Sequence, residues 1–98
     1  MHTVCAKFTF QSGKKQEFLD ILNGPNGLSL TRKWEGCISI DFYQSTDDEN
    51  TLVAWQKWES QANHASYLQM RKDSGLFDKL TELLSDPLQI THLETTSV

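Results

Sequence analysis

An α+β fold is predicted for this chain: a ferredoxin-like split βαβ sandwich, with helices covering one face of an antiparallel sheet. Three observations predict it. Four separate segments, beginning at Val4, Cys37, Thr51 and Leu88, read as strands, the first two by alternation of apolar and polar residues. Stretches with apolar residues at helical spacing come after the first and the third of these segments. The chain has 98 residues, 38% hydrophobic and 22% charged, which suits one folded domain with a modest core rather than a disordered chain.

Val4 to Phe10 alternates, with Val4, Ala6, Phe8 and Phe10 on one side and Cys5, Lys7 and Thr9 on the other; this is a half-buried strand. Gln11-Ser12-Gly13 turns the chain, and Ser12 is placed to cap the first helix. That helix, Lys14 to Asn23, carries Phe18, Ile21 and Leu22 at helical spacing and is stopped by Gly24-Pro25-Asn26-Gly27. Leu28 to Trp34 reads as a second short helical turn, broken at Gly36. Cys37 to Gln44 alternates again, with Ile38, Ile40 and Phe42 opposite Ser39, Asp41 and Tyr43. The polar loop Ser45 to Asn50, which holds the acidic run Asp47-Asp48-Glu49, joins it to the strand Thr51 to Trp58 as an antiparallel hairpin. Ser60 to Met70 is helical with a capping residue at its start. Leu76, Phe77, Leu80, Leu83 and Leu84 make a further apolar stripe, ended by Asp86-Pro87. Leu88 to Glu94 is the last strand, and Thr95 to Val98 reads as a frayed tail.

In this arrangement Val4, Phe8, Ile38, Ile40, Phe42, Leu52 and Trp58 face the helices. The opposite sheet face then shows Tyr43, Val53 and Trp55 among Lys7, Thr9, Asp41 and Lys57. Such a face is too apolar for water and too polar for a dry core. A homodimer packed sheet to sheet through Tyr43, Val53 and Trp55 is therefore expected.

Several classes are excluded. The net charge is −4 with scattered basic residues, so nothing marks a nucleic-acid partner. No apolar run approaches the roughly 18 residues of a membrane span. Met1-His2-Thr3-Val4 leads straight into strand pattern without the marks of a signal peptide, so a cytoplasmic location is expected. Cys5 and Cys37 have no metal or redox spacing and read as reduced, mostly buried thiols. His2, His64 and His92 are far apart and none pairs with another ligand at metal spacing. No phosphate loop or cofactor fingerprint is present, so neither metal nor cofactor is expected.

The residues that could carry chemistry lie between Thr51 and Arg71. Trp58 ends a strand on the helix-facing side. His64, Tyr67 with Leu68, and Arg71 then recur along one side of the next helix. That set suits an apolar cavity with a few convergent polar groups, the usual form of a small-ligand site. Structural readings stand beside it: Trp58 as a core anchor, His64 as a solvated or capping-region histidine, Arg71 with Lys72 and Asp73 as a solvated charge cluster, and His92 as a structural residue of the last strand.

Gly36-Cys37-Ile38-Ser39-Ile40, the strand end Trp55-Gln56-Lys57-Trp58, the junction Trp58-Glu59-Ser60, the helix from Gln61 to Met70 and the close Leu84-Ser85-Asp86-Pro87-Leu88 together resemble the antibiotic biosynthesis monooxygenase superfamily, the dimeric α+β barrels. The resemblance covers nearly the whole chain in element order, and its most specific motif is the Trp-Glu-Ser junction. It implies a homodimer with one pocket per subunit between helices and sheet. Some members oxygenate phenols, anthrones or hydroquinones without metal or organic cofactor, the deprotonated substrate passing an electron to dioxygen. By resemblance, Trp58 lines that pocket. Two positions depart from the pattern of those members: Ala54 stands where they have asparagine, and His64 where they have tyrosine. Histidine can accept a phenolic proton near neutral pH. Many other members have histidine at the place of Tyr67. The haem-degrading branch uses an Asn, Trp and His set, whereas Ala6, Tyr67 and Phe77 stand here, with no histidine for iron.

The resulting expectation is a cofactor-independent monooxygenase acting on a small electron-rich aromatic. Trp58 and His64 are its catalytic residues, and Tyr67, Arg71, Ala54 and Phe8 contact the substrate. The competing expectations are a non-catalytic ligand-binding dimer, which Ala54 favours, and an isomerase of a small carbonyl compound.

Overall fold

The computed structural model describes all 98 residues, Met1–Val98. Its elements run β1 (His2–Thr9), α1 (Lys15–Leu22), α2 (Leu28–Lys33), β2 (Cys37–Gln44), β3 (Thr51–Trp58), α3 (Gln61–Asp73), α4 (Leu76–Leu83) and β4 (Gln89–Leu93). The strands form one antiparallel sheet in the order β2-β3-β1-β4, the ferredoxin-like arrangement. β1 and β3 take its centre and pair over their whole length, from His2 opposite Trp58 to Thr9 opposite Thr51. No helix is long and apolar enough to cross a membrane.

Side-chain alternation decides which face is covered. Along β3, Leu52, Ala54, Gln56 and Trp58 are buried while Trp55 and Lys57 are exposed; along β1, Val4, Ala6 and Phe8 are buried and Lys7 is exposed. The larger core joins Ala6, Phe8, Phe10, Ile40, Leu52 and Ala54 of the sheet side to Phe18 of α1 and Leu80 and Leu83 of α4. Phe18 is its hub, with ring centroids 5.1 Å from Phe8 and 5.3 Å from Phe10. Burying a side chain of this size stabilises the fold by roughly 1.5–3 kcal/mol. A smaller cluster of Val4, Trp58 and Tyr67 closes the other end beneath α3.

The structure departs from the sequence expectations at four places. β1 starts at His2, and Phe10 lies past its end, joined to Leu84 by a single bridge. α1 begins after Lys14 with no side-chain cap, so Ser12 does not cap it. Ile38 does not face the helices. The β2–β3 register shifts between Cys37 and Ser39, and this bulge turns Ile38 out to 51% exposure while Ile40 stays in the core. Cys5 and Cys37 are free thiols that are half-buried rather than mostly buried.

One glycine fixes how α3 meets the sheet. Ser60 caps the helix by accepting the Asn63 N–H at 3.1 Å. That brings the Asn63 side chain onto Gly36, which has φ +87° and whose carbonyl accepts the Glu59 N–H at 2.8 Å. A Cβ at Gly36 would run into the Asn63 side chain. Gly36→Ala should therefore lower the unfolding free energy by roughly 2–3 kcal/mol, adding a left-handed backbone penalty to a clash, as read from a urea denaturation curve.

Candidate functional site

α3 buries an unusual face. Its buried side chains are His64, Tyr67 and Arg71, spaced along one side of the helix, and none of the three is aliphatic. They line a cavity between helices and sheet, whose floor is Ala6 and Phe8 of β1, Ile40 and Phe42 of β2, and Ala54 and Gln56 of β3. Arg71 is therefore not a solvated charge: it is 5% exposed. Its Nε donates to the Tyr67 hydroxyl at 2.8 Å, and Nη1 to the Asn26 carbonyl at 2.7 Å. Nη2 donates to the Gly27 carbonyl at 3.0 Å and to Thr31 Oγ1 at 2.8 Å. A 2.7 Å hydrogen bond between Thr31 Oγ1 and the Tyr67 hydroxyl closes the ring. Every one of these partners is neutral, and Arg71 takes part in none of the ion pairs.

His64 is 1% exposed, and its Nδ1 is the one side-chain nitrogen or oxygen wholly sealed from solvent that has no hydrogen-bond partner. Burial drives its pKa down to about 4, with the neighbouring His92 and His2 adding to the depression. The three histidines, far apart in the sequence, come together in the fold. The antiparallel β1–β4 pairing brings His2 Nε2 within 2.8 Å of His92 Nδ1, and the His64 ring stands 5.6 Å from that of His92. No three His, Cys, Asp or Glu side chains stand where they could share a metal ion.

Trp58 is brought to His64 and Tyr67, at ring distances of 5.4 and 5.2 Å. It does not line the cavity, however: it is wholly buried behind the wall, and its Nε1 donates to Gln56 Oε1 at 3.0 Å. The expected stacking of its indole on a ligand is thus replaced by a place one layer back. Ala54, Phe8, Tyr67, Arg71 and His64 do line the cavity. Sequence reasoning passed over Gln56, Thr31 and the carbonyls of Asn26 and Gly27. Gln56 had a signal, being the one polar residue between apolar inward positions of β3; the carbonyls had none.

The cavity measures about 60 Å³. An engineered cavity of about 150 Å³ admits benzene, so this one has room for a few waters but not, as it stands, for an aromatic ring. An open groove of about 590 Å³ lies next to it, between α3, α4 and the segment before β4. Leu68, Phe77, Leu80, Leu88 and Ile90 wall both spaces.

The His64 environment has a consequence for stability. Unfolded, the ring takes a proton near pH 6.5; folded, only near pH 4. The unfolded chain then binds more protons across that window, so stability is full above pH 6.5 and is lost as the pH falls toward 4. The unfolding free energy should fall by roughly 2–3 kcal/mol over this range. The part due to His64 should vanish in His64→Phe, as read by denaturant titration at a series of pH values.

The model of the family described as antibiotic biosynthesis monooxygenase matches residues 1–72. The Bacillus subtilis (strain 168) protein named "Putative monooxygenase YcnE" is 30% identical over 81 residues, covering 83% of each chain. A conserved protein of Methanosarcina mazei Go1 superposes with a TM-score of 0.85 at 23% identity, over 97% of this chain and 92% of its own. A Streptomyces coelicolor monooxygenase from the gene ActVA-Orf6, solved with the ligand nanaomycin D, superposes with a TM-score of 0.78 at 17% identity, over 99% of this chain and 88% of its own. These two structural likenesses speak for the fold, and the family match and the curated relative for kinship: the chain belongs to the antibiotic biosynthesis monooxygenase family.

Proposed function

We propose that the cavity binds a small electron-rich aromatic, of hydroquinone or anthrone type, as its oxyanion, and that the bound anion reacts with dioxygen without metal or organic cofactor. The observation that carries this reading is Arg71, a buried cation whose partners are all neutral. A buried charge of this kind is stabilised by an opposite charge, and the chain supplies none. An anionic ligand on the cavity side would supply it. The likeness to a monooxygenase solved with nanaomycin D gives the chemistry its direction.

Each role rests on the chemistry of the side chain. His64, neutral at pH 7, offers an acceptor for the phenolic proton and keeps it only while the new anion lies beside it. Arg71 holds the anion, and Tyr67 orients Arg71 through the 2.8 Å hydrogen bond. Ala54 and Phe8 shape the floor on which the ring rests. The anion gives an electron to dioxygen, the pair recombines as a peroxide at a ring carbon that bears hydrogen, the proton held by His64 passes to that peroxide, and loss of water with the carbon's hydrogen leaves a carbonyl. One oxygen atom enters the product and the other leaves as water. The ring reaches the site through the adjoining groove by displacing Phe77 and Leu88.

A second reading, a binding protein without turnover, draws on Ala54, whose methyl group adds no polar atom to the cavity floor. Dioxygen uptake separates the two. Purified protein should consume dioxygen above the autoxidation rate with at least one of a panel of anthrones and hydroquinones. His64→Ala and Arg71→Gln should each cut turnover by roughly 100-fold. Undiminished turnover in His64→Ala removes it as the base, and ligand binding with no uptake across the panel leaves the second reading.

The same reading includes a second copy of the chain over the bare sheet face. Ile38, Tyr43 and Trp55 are 51%, 59% and 42% exposed there, with Val53 half-buried among them. Wild-type protein should sediment as a dimer at micromolar concentration, and Trp55→Glu should sediment as a folded monomer.

A further inference from the structure

The geometry points to Gln56 as a second oxyanion donor of the cavity, held in its donating orientation by Trp58. This rests on the anion-binding reading above.

Gln56 sits at an inward position of β3 between Ala54 and Trp58, is 5% exposed and lines the cavity with His64, Tyr67 and Arg71. Its Oε1 accepts the Trp58 Nε1–H at 3.0 Å. An indole N–H donates and never accepts, so it cannot face the NH₂ end of a carboxamide. That chemistry settles which way the amide lies. The oxygen is turned to Trp58 and the NH₂ away from it, and the NH₂ makes no hydrogen bond to any other part of the chain. Rotating the amide would leave the indole N–H buried without an acceptor. Trp58 cannot follow such a rotation, because it is wholly buried between Val4 and Tyr67 with the His64 ring against it. Gln56 is therefore a donor fixed before any ligand arrives, in a wall otherwise built largely of apolar side chains. An oxyanion gains most from a donor that need not reorient. Gln56 is also neutral, so it strengthens anion binding without adding to the buried positive charge of Arg71. Trp58 touches no ligand in this scheme and is a positioning residue.

The test uses 4-nitrophenol, whose phenolate is coloured, titrated with pH in the presence of the intact protein. Wild-type protein should hold the probe with its pKa below the free value. Gln56→Met should raise the bound pKa by roughly one unit, the size of one lost hydrogen bond to an anion. Gln56→Glu keeps an acceptor for Trp58 but puts an oxygen where the donor was, and should raise it further. Trp58→Phe keeps an aromatic ring in the core but frees the amide, and should give an intermediate rise. A packing role alone would change the melting temperature and the binding constant, not the ionisation of the bound probe. Equal bound pKa values in wild type and in the folded variants overturn the Gln56 assignment and leave the anion-binding reading standing. A wild-type protein that binds no 4-nitrophenolate overturns both.

Discussion

The Arg71 guanidinium is the constraint on which the upper half of the molecule depends. It joins α3 to the turn ahead of α2 through two backbone carbonyls, and to α2 itself through Thr31. The connection between α2 and α3 thus runs through polar groups rather than through an aliphatic seam. Its four hydrogen bonds offset much of the cost of taking the cation out of water, yet hydrogen bonds to neutral oxygens do not cancel a charge. Gly27 is needed for the same geometry: a Cβ there would meet the Ile21 and Leu22 carbonyls, so the chain turns tightly enough to aim its own carbonyl at Arg71. Helix, turn and charge are one unit.

β3 supplies the matching floor. Its inward residues run large, small, polar, large: Leu52, Ala54, Gln56, Trp58. Leu52 belongs to the phenylalanine-rich core and Trp58 to the cluster beneath α3. The small Ala54 and the slim Gln56 between them leave the room that becomes the cavity. Close packing fills such a gap unless side chains from above hold themselves up. Tyr67 and Arg71 do so, because their polar ends are already bonded to α2 and to the turn before it.

How much of this was legible in the sequence depended on which force placed each residue. Alternation in β1 reports burial directly, so Val4 and Phe8 stand where the pattern put them, and Leu52 and Trp58 of β3 face the helices as expected. Ile38 was misplaced because a bulge changes the register without changing the composition, and an isoleucine reads as apolar on either face. The inward side of α3 was legible only as a spacing. His64, Tyr67 and Arg71 recur at helical intervals, but a polar stripe looks like a solvated one until its partners are known. Those partners, Asn26, Gly27 and Thr31, lie some 36 to 45 residues away in the chain. His2 and His92 meet across 90 residues through strand pairing, which no local pattern encodes. Trp58 was legible as an inward strand-end anchor. Its hydrogen bond to Gln56 was not, although i and i+2 on one face of a strand are neighbours by construction.

The charge states around the cavity form a consistent set. Arg71 is permanently positive. A second cation beside it would be hard to keep among so many apolar groups, and burial holds His64 neutral at physiological pH. Tyr67, Thr31 and Gln56 contribute dipoles and no charge. The site as a whole carries one unit of positive charge before a ligand arrives, and an oxyanion brings it to zero. A neutral phenol would leave it uncompensated. Under the proposed reading, the site prefers the ionised form of its ligand over the conjugate acid, and the same preference promotes ionisation once the ligand is inside. Among largely apolar walls that effect is larger than it would be at the surface, because less water is present to screen it.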